Sequence, residues 1–167
     1  MYKLAQILEG WDGYQTSLLH ATGPLTSRQL AWRPAPERRS VGELIRHICT
    51  GRITWLARMG APGIDTVAGR VPRWHADDDG TRRVDDESVP CDDAALLEEW
   101  TVDDMFHTYR LAEYVVSRQW TIWRIMSHDI QHGGQLATML ALQGIDAREL
   151  RALGGHVVVP PIAKPAG

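Results

Sequence analysis

The sequence predicts an all-α fold: a four-helix bundle with a long crossover loop between its second and third helices. Three observations carry that expectation. Apolar residues recur at three- and four-residue steps in four separate segments, which is the period of one helix face. No segment shows the apolar–polar alternation of a half-buried strand, and Val157-Val158-Val159 is too short and isolated to argue a sheet. Gly23-Pro24, Gly60 with Pro62-Gly63, and Gly144 fall at the ends of periodic segments, where they punctuate them. At 167 residues, with no internal repeat, the chain fits a single domain spanning residues 1–167.

The first helix is expected over about residues 2–21, where Leu4, Ile7, Leu8, Trp11, Tyr14 and Leu18 form one stripe. Gly23-Pro24 ends it. Leu25 to Arg39 reads as a connector that Pro34 and Pro36 keep extended. The second helix is expected over about 40–60. Ser40 is a good N-cap, and Glu43 three residues later completes a capping box. Val41, Leu44, Ile45, Ile48, Trp55, Leu56 and Met59 carry the stripe to Gly60.

Residues 61–91 show no helical period and read as a long crossover loop with a short turn near Trp74. The acids within 77–87 read as solvated surface. The third helix is expected over about 92–117. Asp92 and Asp93 sit at its positive end, and Leu96, Leu97, Trp100, Leu111, Tyr114 and Val115 supply its apolar face. The fourth is expected over about 120–143, closing at Gly144, with an irregular tail over 145–167. Four helices with one long crossover read as a four-helix bundle.

Composition narrows the function classes. A net charge of −3 without a basic stripe argues against a nucleic-acid partner. The apolar runs fall far short of a membrane span, and residues 1–10 lack the apolar block of a signal peptide. A cytoplasmic location is therefore expected. Cys49 and Cys91 are too few for a disulfide framework; the sequence leaves a single bridge open, but in that compartment both read as reduced thiols, Cys49 as a small core residue. Seven tryptophans suit bundle cores and cleft walls.

The sharpest chemical signal lies in the fourth helix. His128 and His132 are four residues apart, so both imidazoles project from one face and could converge on one metal ion. Ile125, His128, His132, Leu136 and Met139 follow at steps of three and four, so the pair reads as interrupting the core stripe. Interior imidazoles need partners for their nitrogens. His47 lies beside the core positions Leu44 and Ile48 and offers a third ligand. Three neutral imidazoles with open positions describe a catalytic type of metal site, and Zn²⁺, Ni²⁺, Co²⁺, Fe²⁺ or Mn²⁺ could fit. Asp129 reads as facing a neighbouring helix or supporting the ligands from behind. His107 shares a stripe with Trp100, Leu111 and Tyr114 and is the candidate acid, base or substrate contact. Arg124, one turn before His128, could pair with an anionic substrate or a surface acid.

Ser40-Val-Gly-Glu-Leu-Ile-Arg-His47 followed by Trp55-Leu56 resembles the second helix of the DinB/YfiT-like superfamily. His128-Asp-Ile-Gln-His132-Gly-Gly-Gln135-Leu136, ending in Leu142-Gln-Gly144, resembles its fourth helix, and Trp32-Arg-Pro34 is similar to its opening. The resemblance covers roughly residues 2–145. It implies an up-and-down bundle, often dimeric, with a divalent metal held by His47, His128 and His132. Related sequences often carry Glu just before the first histidine of that helix, or after the Gly-Gly; Ser127 and Gln135 stand there in this chain.

Some members of this superfamily resemble S-transferases and isomerases that use low-molecular-weight thiols. In a reaction of that kind the metal would hold the thiol as thiolate for attack on a small-molecule electrophile. Two other classes compete: a non-catalytic metal-binding, stress-associated protein, and a helical interaction module whose histidines are structural.

Overall fold

In the computed structural model, the described residues are 3–4, 8–65, 74–76, 82–84, 99–147 and 150, the two short internal segments by backbone alone. Helix α1 runs Glu9–Thr22, a short α2 runs Ser27–Ala31, α3 runs Val41–Arg58 and α4 runs Arg118–Leu142. Two short antiparallel ribbons accompany them: β1 (Trp74–Ala76) with β2 (Arg82–Val84), and β3 (Thr108–Leu111) with β4 (Tyr114–Ser117). The chain is mostly helical, but it is not purely α.

The expected second and fourth helices correspond to α3 and α4, and their ends follow the capping chemistry. Ser40 accepts from the Glu43 backbone N–H at 3.1 Å while the Glu43 carboxylate accepts from the Ser40 N–H at 2.9 Å. Arg33 grips that carboxylate with two bonds of 2.9 and 3.0 Å, tying the connector to the start of α3. The connector is less extended than expected: Thr26 and Gln29 form a second capping box that opens α2. At the start of α4, the Ser117 hydroxyl accepts from the Trp120 N–H at 3.1 Å.

The expected third helix is corrected over its described part. Residues 103–106 form a 3₁₀ turn, and 108–117 form the β3–β4 ribbon, Tyr109 opposite Val116 and Leu111 opposite Tyr114. Along β3 the side chains alternate exposed and half-buried, the period of a strand. Ala112 makes the tight turn with φ of 53°, a left-handed conformation that alanine adopts at a cost. The stretch 92–98 of that expected helix, the acids of 77–81 and 85–87, and the tail from 151 on lie outside the described residues. Within the expected crossover loop, the described residues add the β1–β2 ribbon in place of a single turn.

The core falls into two apolar clusters. One gathers Trp11, Ile53, Leu56, Met59, Trp100, Ile122 and Ile125. The other gathers Tyr14, Leu18, Val41, Leu44, Ile48, Leu136 and Leu140. The clusters occur in opposite order along α3 and α4, so these helices run antiparallel. Between them lies a buried polar layer of Gln15, Arg52 and Asp129.

Candidate metal centre

His47 comes from α3, and His128 and His132 come from adjacent turns of α4. The antiparallel pairing of the two helices closes an 81-residue separation between His47 and His128, whose Nε2 atoms stand 3.3 Å apart. One ligand atom from each histidine lies within 4.8 Å of the other two. Ring centroids are 4.4 to 5.0 Å apart with planes inclined by 57° to 80°. Tilted rings suit convergence, because an imidazole lone pair lies in its ring plane. Two nitrogens about 2.0–2.1 Å from one ion, at a tetrahedral angle, sit about 3.3–3.4 Å apart. The His47–His128 spacing meets that condition, and with the His132 nitrogen inside 4.8 Å of both the three form a group that could hold a metal ion.

All three rings are half-buried. The inward stripe of α4 is Ile122, Ile125, Asp129, Gly133 and Leu136, so Asp129, and not the histidine pair, interrupts the core. His128 and His132 sit on the flank of that stripe, where they meet α3. Burial, then the Arg39 guanidinium, then His132 and His128 push the His47 pKa down to about 4, so its ring is neutral near pH 7.

Close helix contact makes this convergence possible. A methyl group on Gly51 would lie 2.7 Å from Cε1 of His128, so only glycine admits the ring there. On the other side of α4, a methyl on Gly133 would overlap the Tyr14 hydroxyl. Behind the rings, Nδ1 of His128 lies 3.3 Å from Oδ1 of Asp129, and Nδ1 of His132 lies 2.7 Å from Oε1 of Gln135. Arg52 Nε donates to Oδ2 of Asp129 at 2.5 Å, and Trp11 Nε1 reaches the same oxygen at 3.4 Å. Arg52 also donates to the side-chain amide oxygen Oε1 of Gln15, and its guanidinium lies 5.7 Å over the Trp11 ring. The Tyr14 hydroxyl donates to the Asp129 carbonyl oxygen at 3.2 Å.

His107 is not brought to this cluster. It lies beside Arg118 and Asp104, at 3.4 and 3.6 Å, and is exposed. Arg118 opens α4 ten residues before His128, which is about 15 Å of helix rise. Arg124 packs over Trp55 at 4.7 Å and Trp120 at 5.8 Å, a cation–π arrangement in place of an acid partner. Cys49 is disulfide-bonded, in contrast to the expected reduced thiol. Asp129 faces a neighbouring helix as the sequence suggests, but sequence reasoning missed its buried companions Arg52 and Gln15. The signal for Arg52 was readable: Ile48, Arg52 and Leu56 follow at steps of four, putting a guanidinium in an apolar stripe.

Fold and site together define a mostly helical protein with a three-histidine group that could hold a metal ion on two antiparallel helices. A family model, the DinB superfamily, matches residues 11–136, and the chain belongs to that superfamily. Among solved structures, the chain is similar to a DinB-like protein from Bacillus cereus, with a TM-score of 0.61 and 16% identity over 88% of this chain and 97% of that one. At that identity the likeness speaks for the fold alone. No curated protein matches the chain. Among the described residues, no helix is long and apolar enough to cross a membrane.

Proposed function

We propose that this chain is a divalent-metal protein in which His47, His128 and His132 are the ligands, and that its open coordination positions serve transfer of a low-molecular-weight thiol to a small-molecule electrophile. The observation that carries the metal reading is the convergence of three half-buried imidazoles within 4.8 Å. When bound, a divalent ion supplies Lewis acidity, which lowers the pKa of a coordinated thiol or water. The chain's own residues prepare for it. His47 is held neutral, so its lone pair is available. Gly51 leaves the room that His128 needs, and Asp129 and Gln135 occupy the Nδ1 sides of the other two rings. Three side-chain ligands leave the remaining positions for exchangeable partners, the pattern of catalytic sites. A homodimer completes the reading.

The test is metal content per chain of untagged protein beside His47→Ala, His128→Ala and His132→Ala combined. Near-stoichiometric divalent metal in the parent and none in the variant is the expected result. A parent that stays empty after incubation with Zn²⁺, Ni²⁺ and Mn²⁺ would overturn the reading. Metal-loaded protein is then assayed for thiol transfer; loading without any transfer would leave the non-catalytic alternative.

A further inference from the structure

We propose that Asp129, anchored by Arg52, is the positioning residue of His128: it accepts a hydrogen bond from Nδ1–H and so fixes Nε2 as the donor atom facing His47. The inference rests on the metal reading above and concerns how that site is held. Its starting point is an inequality between neighbouring rings. His132 has the neutral amide oxygen of Gln135 behind it, and Gln135 is exposed. His128 has a carboxylate behind it, and that carboxylate is fully buried.

The two oxygens of Asp129 divide their work. Oδ2 receives Arg52 Nε at 2.5 Å and faces Trp11 Nε1 at 3.4 Å, while Oδ1 faces His128 Nδ1 at 3.3 Å. Tyr14, bonded to the Asp129 carbonyl oxygen, fixes the backbone from which the carboxylate projects. A neutral imidazole has one N–H, and its position is set by the bond that the other nitrogen makes. With a carboxylate on Nδ1, the proton sits there and Nε2 keeps its lone pair, 3.3 Å from the His47 Nε2. A carboxylate behind a ligand ring also raises its donor strength, so His128 is the stronger donor of the α4 pair. Arg52 lies on the same helix as His47, so one buried ion pair ties the ligand-bearing faces of both helices together.

The experiment uses the whole, metal-free chain. Long-range ¹H–¹⁵N correlation spectra of its histidine rings, with His128 assigned through His128→Gln, report which nitrogen carries the proton. The expected parent state is a proton on Nδ1 and a bare Nε2. Removing Asp129 alone would strand a buried guanidinium, so the variant is Arg52→Met with Asp129→Leu, which replaces the pair by apolar groups. It is expected to move the His128 proton to Nε2 and to weaken Zn²⁺ about 10- to 100-fold in chelator competition. Gln135→Ala should produce a smaller loss. A proton on Nε2 of His128 in the folded parent overturns the proposal, whether or not the double variant folds. So does a double variant that keeps the parent tautomer and Zn²⁺ affinity. The expected tautomer in a parent that binds no Zn²⁺ would instead uphold the positioning role and overturn the metal reading.

Discussion

Gly51 of α3 and His128 of α4 are in direct contact: a methyl group on Gly51 would meet Cε1 of His128 at 2.7 Å and its Nε2 at 3.2 Å. The backbone of one histidine-bearing helix is thus a wall against a ring of the other. Gly51→Ala should displace that ring from His47 while adding helix propensity at its own position. The expected outcome is a folded protein, by circular dichroism, whose Zn²⁺ affinity falls about tenfold or more, since ligands must be held close to productive geometry. Unchanged affinity would show that the ring can reach the ion from elsewhere.

Metal should stabilise the fold, because the three-ligand set exists only when α3 and α4 are paired. A ligand that binds only the native state adds about 2.7 kcal/mol when present at a hundredfold excess over its Kd. Differential scanning fluorimetry with and without Zn²⁺ should show a rise in Tm for the parent. His128→Ala should abolish most of that rise, and EDTA should reverse it.

Gly133 and Tyr14 form a second tight contact, on the opposite side of α4. Gly133→Ala is expected to cost about 1–3 kcal/mol through overpacking. Tyr14→Phe removes the hydroxyl that the new methyl would strike, together with its bond to Asp129 O. In urea unfolding the double variant should therefore lose less stability than the sum of the single ones. Simple additivity would argue against the contact.

Tyr14 also makes an alkaline prediction. Its pKa is raised to about 12, first by burial and then by Asp129, with Arg52 opposing. A raised folded pKa means stability that is complete below the unfolded value of about 10 and is lost as pH climbs towards the folded one. Stability should decline between about pH 10 and 12, by about 2 kcal/mol at the top of that window. Tyr14→Phe should flatten this decline. Tyrosinate absorbance during an alkaline titration checks the assignment, since one tyrosine should ionise late.

Much of this was legible in the sequence where local rules were strong. Ser40 and Glu43 announced the start of α3, and both halves of the capping box are formed. The spacing of His128 and His132 placed them on one face, and His47 was recoverable from the company of Leu44 and Ile48. The region 103–117 was misread because Trp100, Leu111, Tyr114 and Val115 happen to fall at helical intervals. The competing period-two signal was there in Tyr109 and Leu111, half-buried between exposed neighbours, and in the β-branched Val115-Val116. Its turn hid it: Ala112-Glu113 carries none of the glycine or asparagine that marks a tight hairpin, although Ala112 adopts the left-handed conformation they favour. Behind the histidines the two buried charges could each be read from their own helix, but their pairing could not. Asp129 pairs with Arg52 across 77 residues, and no local pattern reports such a partner.

The polar layer between the two apolar clusters also restricts how this chain can vary. An uninterrupted apolar interface between α3 and α4 would tolerate a slip of one turn, about 5.4 Å, with leucines and isoleucines finding new leucines and isoleucines. Here such a slip would set Arg52 against hydrocarbon, and an unpaired buried charge costs about 3–5 kcal/mol. The helices are therefore indexed to one another like a key in a keyway, and the index falls at the level where their histidines meet. Residues in the apolar layers can drift one at a time, whereas Arg52 and Asp129 can be exchanged only as a pair.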